Sequence, residues 1–359
     1  MNRLVIVGNG FDLAMGCPTR VEDFLLWLLK KYFKKITSRE RMDFLFFQHK
    51  EFINKAIYHK EYKDSILAST DFRYVKESLS QNVFEITDPL LSEIFKLGNQ
   101  SGWYDIEATY FDLIIKESKW KNTAVEKILS INKSLENLIK ELQSYLVDLE
   151  KEFSINVNDE LLLKLNRFKE RNEFIQIHNS ELKELVFVNF NYTSILDQAL
   201  SKIRGLNNSS VFYIHGKLST QGEHLPMLVG YGDDQSEEFQ QLDEFRNSEL
   251  LKYIKPFHYS RNSVVSQILD ICESEPFTLY IVGHSCSDTD KTILKSIVNH
   301  ANCAKVKVWH KGTQEDFFKR NIAVSRFFID KEMRLSKILP YHESDCLPQL
   351  ESKRLNLFP

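Results

Sequence analysis

The opening stretch of the chain, MNRLVIVGNGFDLAMGCPT, restricts the fold more than any other. Leu4–Val7 is a short run of β-formers that leads directly into Gly8-Asn9-Gly10 and then into a helix-like segment. A buried strand followed by a glycine turn and a helix commonly begins the nucleotide pocket of a parallel α/β sheet. Leu13 replaces the third glycine of the usual G-x-G-x-x-G, so the pattern here is G-x-G-x(5)-G-x-P, which ends at Pro18.

The rest of the chain divides into a helical part and a part in which strands alternate with helices. Residues 20–180 keep the apolar spacing of helices, including a helix predicted over Arg41–Tyr58. Strand-forming runs then return at Leu185–Phe190, Val211–Ile214, Met227–Val229, Phe277–Val282 and Lys305–Trp309. Since strands that alternate with helices form parallel sheets, we predict an α/β fold with a Rossmann-like parallel sheet.

The predicted domains follow from this division. Residues 1–30 and 181–330 form the Rossmann-like nucleotide-binding domain. Residues 31–180 form a large all-helical insertion after the first strand and helix, and residues 331–359 form a C-terminal tail packed on the core.

Composition disfavours several classes of protein. The 359 residues are 43% hydrophobic and 27% charged, which is typical of a soluble chain with a full core. A net charge of -3 provides no general attraction for nucleic acid or an anionic membrane. We see no signal peptide and no membrane-length apolar run, so a cytoplasmic location is expected. The five cysteines are scattered and the histidines lack ligand spacing, so no disulfide framework or metal site is predicted.

Small or polar residues follow several of the predicted strands at the point where each strand ends. They are Gly8–Asp12, Asn189–Thr193, His215-Gly216 and Gly283–Ser285, the last followed by Asp288 and Asp290. Ligands of parallel sheets bind beyond the carboxyl ends of the strands, which meet at one edge. The sequence therefore predicts a binding site at that edge.

These motifs resemble those of the AbiH family of bacterial abortive-infection proteins. The resemblance includes, in order, V-G-N-G-F-D-L-A-x-G-x-P-T, W-x-D-I-E at residues 103–107, F-N-Y-T at 190–193, I-H-G at 214–216 and G-H-S-x-S-D-x-D at 283–290. It implies a role in antiphage defence.

A second resemblance is to sirtuin-type NAD-consuming enzymes. The glycine turn with its Gly16 and Pro18 has the sirtuin spacing, and Asn191, His215-Gly216 and Gly283–Ser285 are similar to the Asn, His-Gly and G-T-S motifs of those enzymes. Phe11-Asp12 and Thr193 differ from the sirtuin pattern, and the cysteines of the sirtuin zinc module are absent. The resemblance implies a sirtuin-like sheet that binds NAD or a related nucleotide.

Together the resemblances imply a defence protein that cleaves the N-glycosidic bond of NAD or a related nucleotide. One alternative is a nucleotide-gated sensor or interaction module without catalysis. Another is an effector that acts on nucleic acid, which the net negative charge disfavours. The expected partners are a nucleotide, a phage-derived activator or co-encoded protein, and a second copy of the chain, with no membrane and no metal.

The candidate catalytic residues are Asp12, Glu107, Asn191 and His215. The imidazole of His215 can take a proton from water or a ribose hydroxyl at neutral pH, and Asn191 would orient the ribose. Asp12 would repel a phosphate, so it would face a ribose hydroxyl, an amide or a cation. Structural roles remain open: Asp12 and Glu107 as acids in the first turn of a helix, Asn191 in an Asx turn, and His215 as a buried histidine.

The candidate nucleotide-binding residues are Gly8, Asn9, Gly10, Phe11, Pro18, Thr19, Gly283, His284, Ser285 and Asp290. The Gly8–Gly10 turn would seat the pyrophosphate at the start of a helix. As alternatives, the glycines would serve only a tight turn, and His284, Ser285 and Asp290 would belong to the start of a helix.

Overall fold

The computed structural model describes residues 1–37, 46–49, 60–97, 102–119, 124–153, 159–169, 182–203, 209–218 and 226–350. They divide into two compact units. The first contains Met1–Pro18, Phe153–Gln235 and the described residues from Ile254 onward, and the second contains Thr19–Glu152 and Ser236–Tyr253. These units are compact parts of the fold, and their limits do not test the functional domains predicted from the sequence. The predicted domain limits therefore stay a prediction.

The strands within the described residues are β1 (Asn2–Val7), β2 (Phe47–His49), β3 (Phe84–Ile86), β4 (Leu185–Asn189), β5 (Ser209–Tyr213), β6 (Phe277–Val282) and β7 (Cys303–Val308). The α-helices are α1 (Asn9–Ala14), α2 (Val21–Thr37), α3 (Lys60–Ala68), α4 (Phe72–Asn82), α5 (Pro89–Lys96), α6 (Trp103–Ser118), α7 (Ala124–Glu152), α8 (Asp159–Asn166), α9 (Ile195–Ser201), α10 (Glu237–Glu244), α11 (Ser248–Leu251), α12 (Lys255–His258), α13 (Val264–Ser274), α14 (Lys291–Val298), α15 (Gln314–Ser325) and α16 (Lys331–Lys337).

A five-stranded parallel sheet, in the order β5-β4-β1-β6-β7, forms the centre of the first unit. All residues of β1 are buried, because it lies mid-sheet with apolar side chains on both faces. If the five strands of this sheet are numbered by their order along the chain, their order across the sheet is 3-2-1-4-5. The direction in which successive strands are added therefore reverses at β1. In such sheets ligands bind at the carboxyl ends of the strands on either side of the reversal, here β1 and β6.

Side chains that alternate along the strands bury both faces of the sheet. Leu4 and Ile6 of β1 belong to a core that α13, α14 and α15 complete. On the other face, Phe168 packs on Phe187, Tyr280 and Trp309, with ring centroids 6.3, 4.9 and 5.3 Å away. Burial of each such side chain stabilises the unit by about 1.5–3 kcal/mol.

Two features of the first unit concern predictions for segments outside the five strands. The strand predicted at Met227–Val229 is wrong, because this segment forms no ladder: the Leu228 N–H donates to the His215 carbonyl and the Leu228 carbonyl accepts from Tyr192 Oη. After α16, the described part of the tail runs beside β7, where the Leu339 N–H donates to the Val306 carbonyl.

The second unit contains α2–α7, α10 and α11, together with a small antiparallel sheet of β2 and β3. The all-helical prediction for residues 31–180 is therefore wrong, and so is the helix predicted over Arg41–Tyr58, at least within its described residues. Phe47 packs against Phe84 on the paired strand, with ring centroids 4.4 Å apart. Over so short a run, the spacing of the aromatic residues is compatible with a helix or with a strand. The pairing with β3 makes this segment a strand.

The helices of the second unit pack through aromatic and polar contacts. Phe24 lies 5.8 Å from Tyr145, centroid to centroid, and Tyr110 Oη donates to Asn132 Oδ1 at 2.7 Å. Asn132 Nδ2 in turn donates to the Glu249 carbonyl at 2.9 Å. Among the helices that the structure describes, none combines the length and apolar character needed to cross a bilayer.

Candidate functional site

The carboxyl ends of β1, β4, β5 and β6 meet at one edge of the sheet. The register pairs Val7 with both Asn189 and Val282, and Asn189 with Tyr213, and these are the last residues of the strands. The segments that follow them carry the polar residues singled out in the sequence. Their convergence on this carboxyl edge follows from the parallel pairing.

The loops after β1 and β6 pack directly on each other through glycines. The Gly10 N–H donates to the Gly283 carbonyl at 2.8 Å, and a Cβ on Gly10 would lie only 2.7 Å from that oxygen. A Cβ on Gly8 would lie 2.6 Å from His284 Cα. Gly283 has a φ of +68°, and a Cβ there would lie 2.4 Å from the Phe11 nitrogen. Close approach of the two loops thus accounts for these glycines.

This packing bears on the predicted pyrophosphate site. The Gly10 N–H is taken up by Gly283, and the Phe11 N–H donates to the Gly8 carbonyl at 2.9 Å. Neither amide points outward in this conformation, so a phosphate seated on the turn would have to use other donors. The binding roles of Gly8, Gly10 and Phe11 stay a prediction.

A first group of side chains, which we name the amide cluster, consists of Asp12, Asn191 and Thr193. Asp12 Oδ1 accepts from Asn191 Nδ2 at 2.8 Å, and Asp12 Oδ2 accepts from Thr193 Oγ1 at 2.5 Å. Asn191 Nδ2 also donates to the Gly8 carbonyl at 3.1 Å, so both of its hydrogens are used. Asp12 lies in the first turn of α1 and faces an amide. These bonds fix the orientation of Asn191, and no described residue donates to its Oδ1.

A second group, the ion cluster, consists of Asp290, Lys255, His215 and His284. Lys255 Nζ donates to Asp290 Oδ1 at 2.8 Å, and His215 Nε2 lies 3.1 Å from the same oxygen. His284 Nε2 lies 3.4 Å from Asp290 Oδ2. The contact of His215 is close enough for electrostatic attraction but is misaligned for a hydrogen bond, and Nε2 has no hydrogen-bond acceptor among the described residues.

Burial governs the charges of the ion cluster. It lowers the pKa of His215 by disfavouring the imidazolium, and the Lys255 ammonium lowers that pKa further. Burial raises the pKa of Asp290, but the opposing effect of the neighbouring charges, above all the Lys255 ammonium, is larger and holds this pKa well below its usual range. At neutral pH the cluster therefore contains one carboxylate, one ammonium and a neutral His215.

The strained backbone of the β6 loop orients His284. Cys286 has a φ of +55°, which is uncommon for a residue other than glycine. Its N–H donates to His284 Nδ1 at 3.0 Å. Because Nδ1 accepts a hydrogen bond, the ring proton lies on Nε2, the nitrogen that faces Asp290. The loop thus fixes the orientation of the His284 ring.

Other residues predicted for the site are less closely involved. Asn9 is half-buried at the start of α1, and Ser285 is exposed, 3.4 Å from Ser287 in a hydroxyl–hydroxyl contact. Pro18 ends the first segment of the first unit. Thr19 and Glu107 belong to the second unit, where the Thr19 carbonyl accepts from Trp103 Nε1 and Glu107 is buried.

Sequence reasoning missed Lys255 and did not assign a function to Thr193. Lys255 is buried, with 1% of its surface exposed, and it belongs to the short segment Tyr253–Pro256, which has no motif or periodicity. A lysine in such a segment gives no local signal. Thr193 belongs to the F-N-Y-T motif, but its bond to Asp12 joins residues far apart in the chain, and no local pattern encodes that bond.

Two observations concern alternative sites. No group of three or more His, Cys, Asp or Glu side chains suited to a metal ion occurs within the described residues. An open surface cleft of about 410 Å³ lies at the opposite, amino edge of the sheet, lined by Asn2, Lys183, Glu184, Ser209, Ser210, Ser274 and Glu275. Because parallel sheets bind ligands at the carboxyl edge, we assign the candidate site to the two clusters there.

The fold and the site define a mixed α/β protein with a parallel sheet and a buried polar centre at its carboxyl edge. A family model described as bacteriophage abortive infection AbiH matches residues 4–311. The chain therefore belongs to the AbiH family, as its motifs indicated, and the family suggests a role in antiphage defence. No curated protein matched the chain.

Proposed function

We propose that this AbiH-family protein binds NAD or a related nucleotide at the carboxyl edge and cleaves its N-glycosidic bond during phage defence. The observation that carries the proposal is the convergence of the amide and ion clusters at the sheet edge where the strand order reverses. The order 3-2-1-4-5 matches five of the six strands of dinucleotide-binding sheets, which have the order 3-2-1-4-5-6. The sirtuin-like spacing of the glycine turn supports NAD as the ligand.

The chemistry of the proposed reaction requires a base for water and a group that orients the ribose. Neutral His215 would take a proton from the water that attacks the ribose carbon as the bond to nicotinamide breaks. The carboxylate of Asp290 would then stabilise the imidazolium, 3.1 Å from Nε2. Asn191 would accept from a ribose hydroxyl through Oδ1, since both of its N–H hydrogens are used within the protein. The products would be nicotinamide and the ADP-ribose moiety.

Access to the ion cluster requires a change of conformation. His215, His284 and Asp290 are each 5–6% exposed, and Lys255 is 1% exposed. A substrate would therefore reach His215 only after the loops at the edge move apart. This need for opening is consistent with a protein that is switched on by a phage-derived activator.

The test is release of nicotinamide from NAD by the purified protein, with and without lysate of phage-infected cells. We expect release with at least one preparation, and we expect His215→Ala to reduce it by about 10²-fold or more. His300→Ala is the matched control, because His300 precedes β7 at the amino edge and pairs with Glu273. Full killing of infected cells without any release of nicotinamide would rule out the reaction.

A second candidate function is a nucleotide-gated sensor, which the burial of the ion cluster favours. In that case the ligand would stabilise one arrangement of the edge loops without being cleaved. His215→Ala would then leave cell killing unchanged, whereas the enzymatic proposal requires killing to disappear. Binding of NAD to the variant, measured by calorimetry, separates loss of the ligand from loss of catalysis.

A further inference from the structure

Lys255 has a position that is fixed by its backbone as well as its side chain. Its N–H donates to the Tyr231 carbonyl at 2.8 Å, and the preceding Ile254 forms a parallel bridge with Tyr231. Pro256 follows in the first turn of α12. A cation at the start of a helix gains nothing from the helix dipole, so local helix stability does not explain the lysine.

The ion cluster contains one carboxylate and several groups that could carry a positive charge. Asp290 faces Lys255, His215 and His284, all of them buried. The Cys286 N–H donates to His284 Nδ1, so the other ring nitrogen of His284, Nε2, faces Asp290. Lys255 and His215 therefore face the same carboxylate oxygen, since Lys255 Nζ lies 2.8 Å and His215 Nε2 lies 3.1 Å from Asp290 Oδ1.

We infer that Lys255 is a positioning residue that keeps His215 neutral, by holding its ammonium against Asp290. Without the ammonium, the nearest group able to compensate the buried carboxylate is His215, which would become an imidazolium paired with Asp290. An imidazolium cannot take a proton from water. The inference rests on the proposed function for its catalytic meaning, but the effect on His215 is a property of the protein alone.

Among the residues that the structure describes, the groups that face His215 come from a few elements. Asp290 precedes α14, Lys255 starts α12, and His284 follows β6. Tyr192 and Phe190, from the segment after β4, contact the ring at centroid distances of 6.3 and 5.1 Å. Removal of Lys255 thus removes the ammonium from the described groups that act on this ring.

The experiment is NMR of the full chain with isotope-labelled histidine, titrated with acid and base. The His215 signal is assigned by its loss in His215→Gln. In the unmodified protein we expect a neutral His215 at pH 7. In Lys255→Met we expect its titration midpoint to rise by at least one pH unit, and in Lys255→Arg, which keeps the charge, we expect it to stay near the original value. Lys255→Gln repeats the test if the methionine variant does not fold.

The possible outcomes separate this inference from the proposed function. An imidazolium at pH 7 in the unmodified protein overturns it without the need for any variant. It is also overturned if Lys255→Met folds with His215 still neutral, because Asp290 would then have taken up the proton and Lys255 would serve stability alone. A rise in the midpoint in Lys255→Met, together with no cleavage of NAD by the unmodified protein, would support the role of Lys255 and contradict the glycosidic reaction.

Discussion

The amide cluster and the ion cluster lie at the same edge of one sheet, yet their contacts differ in kind. In the amide cluster, Asp12 accepts well-formed hydrogen bonds from Asn191 and Thr193. In the ion cluster, Asp290 is held mainly by the Lys255 ammonium, and the contact of His215 is close but misaligned. The first arrangement fixes positions. The second leaves a buried imidazole able to change its protonation state.

The largest loss of stability is expected from a substitution at the point where the loops after β1 and β6 touch. Gly283→Ala would place a Cβ 2.4 Å from the Phe11 nitrogen and would also strain a φ of +68°. We expect a loss of about 4 kcal/mol or more in the free energy of unfolding, with both clusters disturbed. Chemical denaturation, followed by circular dichroism, measures it.

Gly312→Ala is the control for the backbone strain alone. Gly312 has a φ of +96°, but an added Cβ would meet only the Cys346 Sγ, at 3.3 Å. We expect a loss of about 1–2 kcal/mol. If Gly283→Ala costs no more than Gly312→Ala, the two loops are not packed as described.

The next largest loss of stability is expected from a substitution of the carboxylate of the ion cluster, and it should exceed the loss from the same substitution in the amide cluster. Asp290→Asn removes the buried carboxylate that accepts from Lys255 Nζ, which should lower the free energy of unfolding by about 3–5 kcal/mol. In Asp12→Asn, the new side-chain carbonyl can still accept from Asn191, and the new side-chain amide can donate to the Thr193 hydroxyl. We therefore expect a loss of only about 1 kcal/mol. Urea denaturation at pH 7 compares them, and equal losses would remove the distinction between the clusters.

The parts of this site that the sequence could predict are those encoded locally. The apolar run of β1 and the glycine turn after it identify a buried parallel strand, and polar residues after β4, β5 and β6 identify the edge. The family follows from these motifs. Phe47 shows the limit of periodicity, because its strand depends on pairing with β3. Lys255 could not be found, because its role depends on a contact with Asp290 that no pattern around either residue encodes.

Lowering the pH should destabilise the folded protein through His215. Its lowered pKa means that the unfolded chain takes up a proton at His215 before the folded protein does, so stability falls as pH drops below the unfolded value of about 6.5. The slope from this residue is at most about 1.4 kcal/mol per pH unit. The lowered pKa of Asp290 acts in the same direction, but only below about pH 4.

Urea denaturation from pH 7 to pH 5 tests this expectation. His215→Gln should lose stability less steeply over that range than the unmodified protein does. Identical slopes would mean that His215 titrates alike in the folded and unfolded chain. The ion cluster would then not lower the pKa of His215.

The smallest effect tests whether the two clusters are independent. Thr193→Val removes the hydroxyl that donates to Asp12 Oδ2 while it keeps the shape of the side chain, and we expect a loss of about 1 kcal/mol. In a double-mutant cycle with Asp12→Ala, which removes the acceptor and offers no new bond, the coupling energy should be about 0.5–1.5 kcal/mol, because the two residues share a hydrogen bond. In a cycle with His215→Gln it should stay below about 0.5 kcal/mol, because the structure gives Thr193 and His215 no common polar partner among the described contacts. Equal coupling in the two cycles would mean that the clusters form a single network, and Asp12 would then influence the imidazole as Lys255 does.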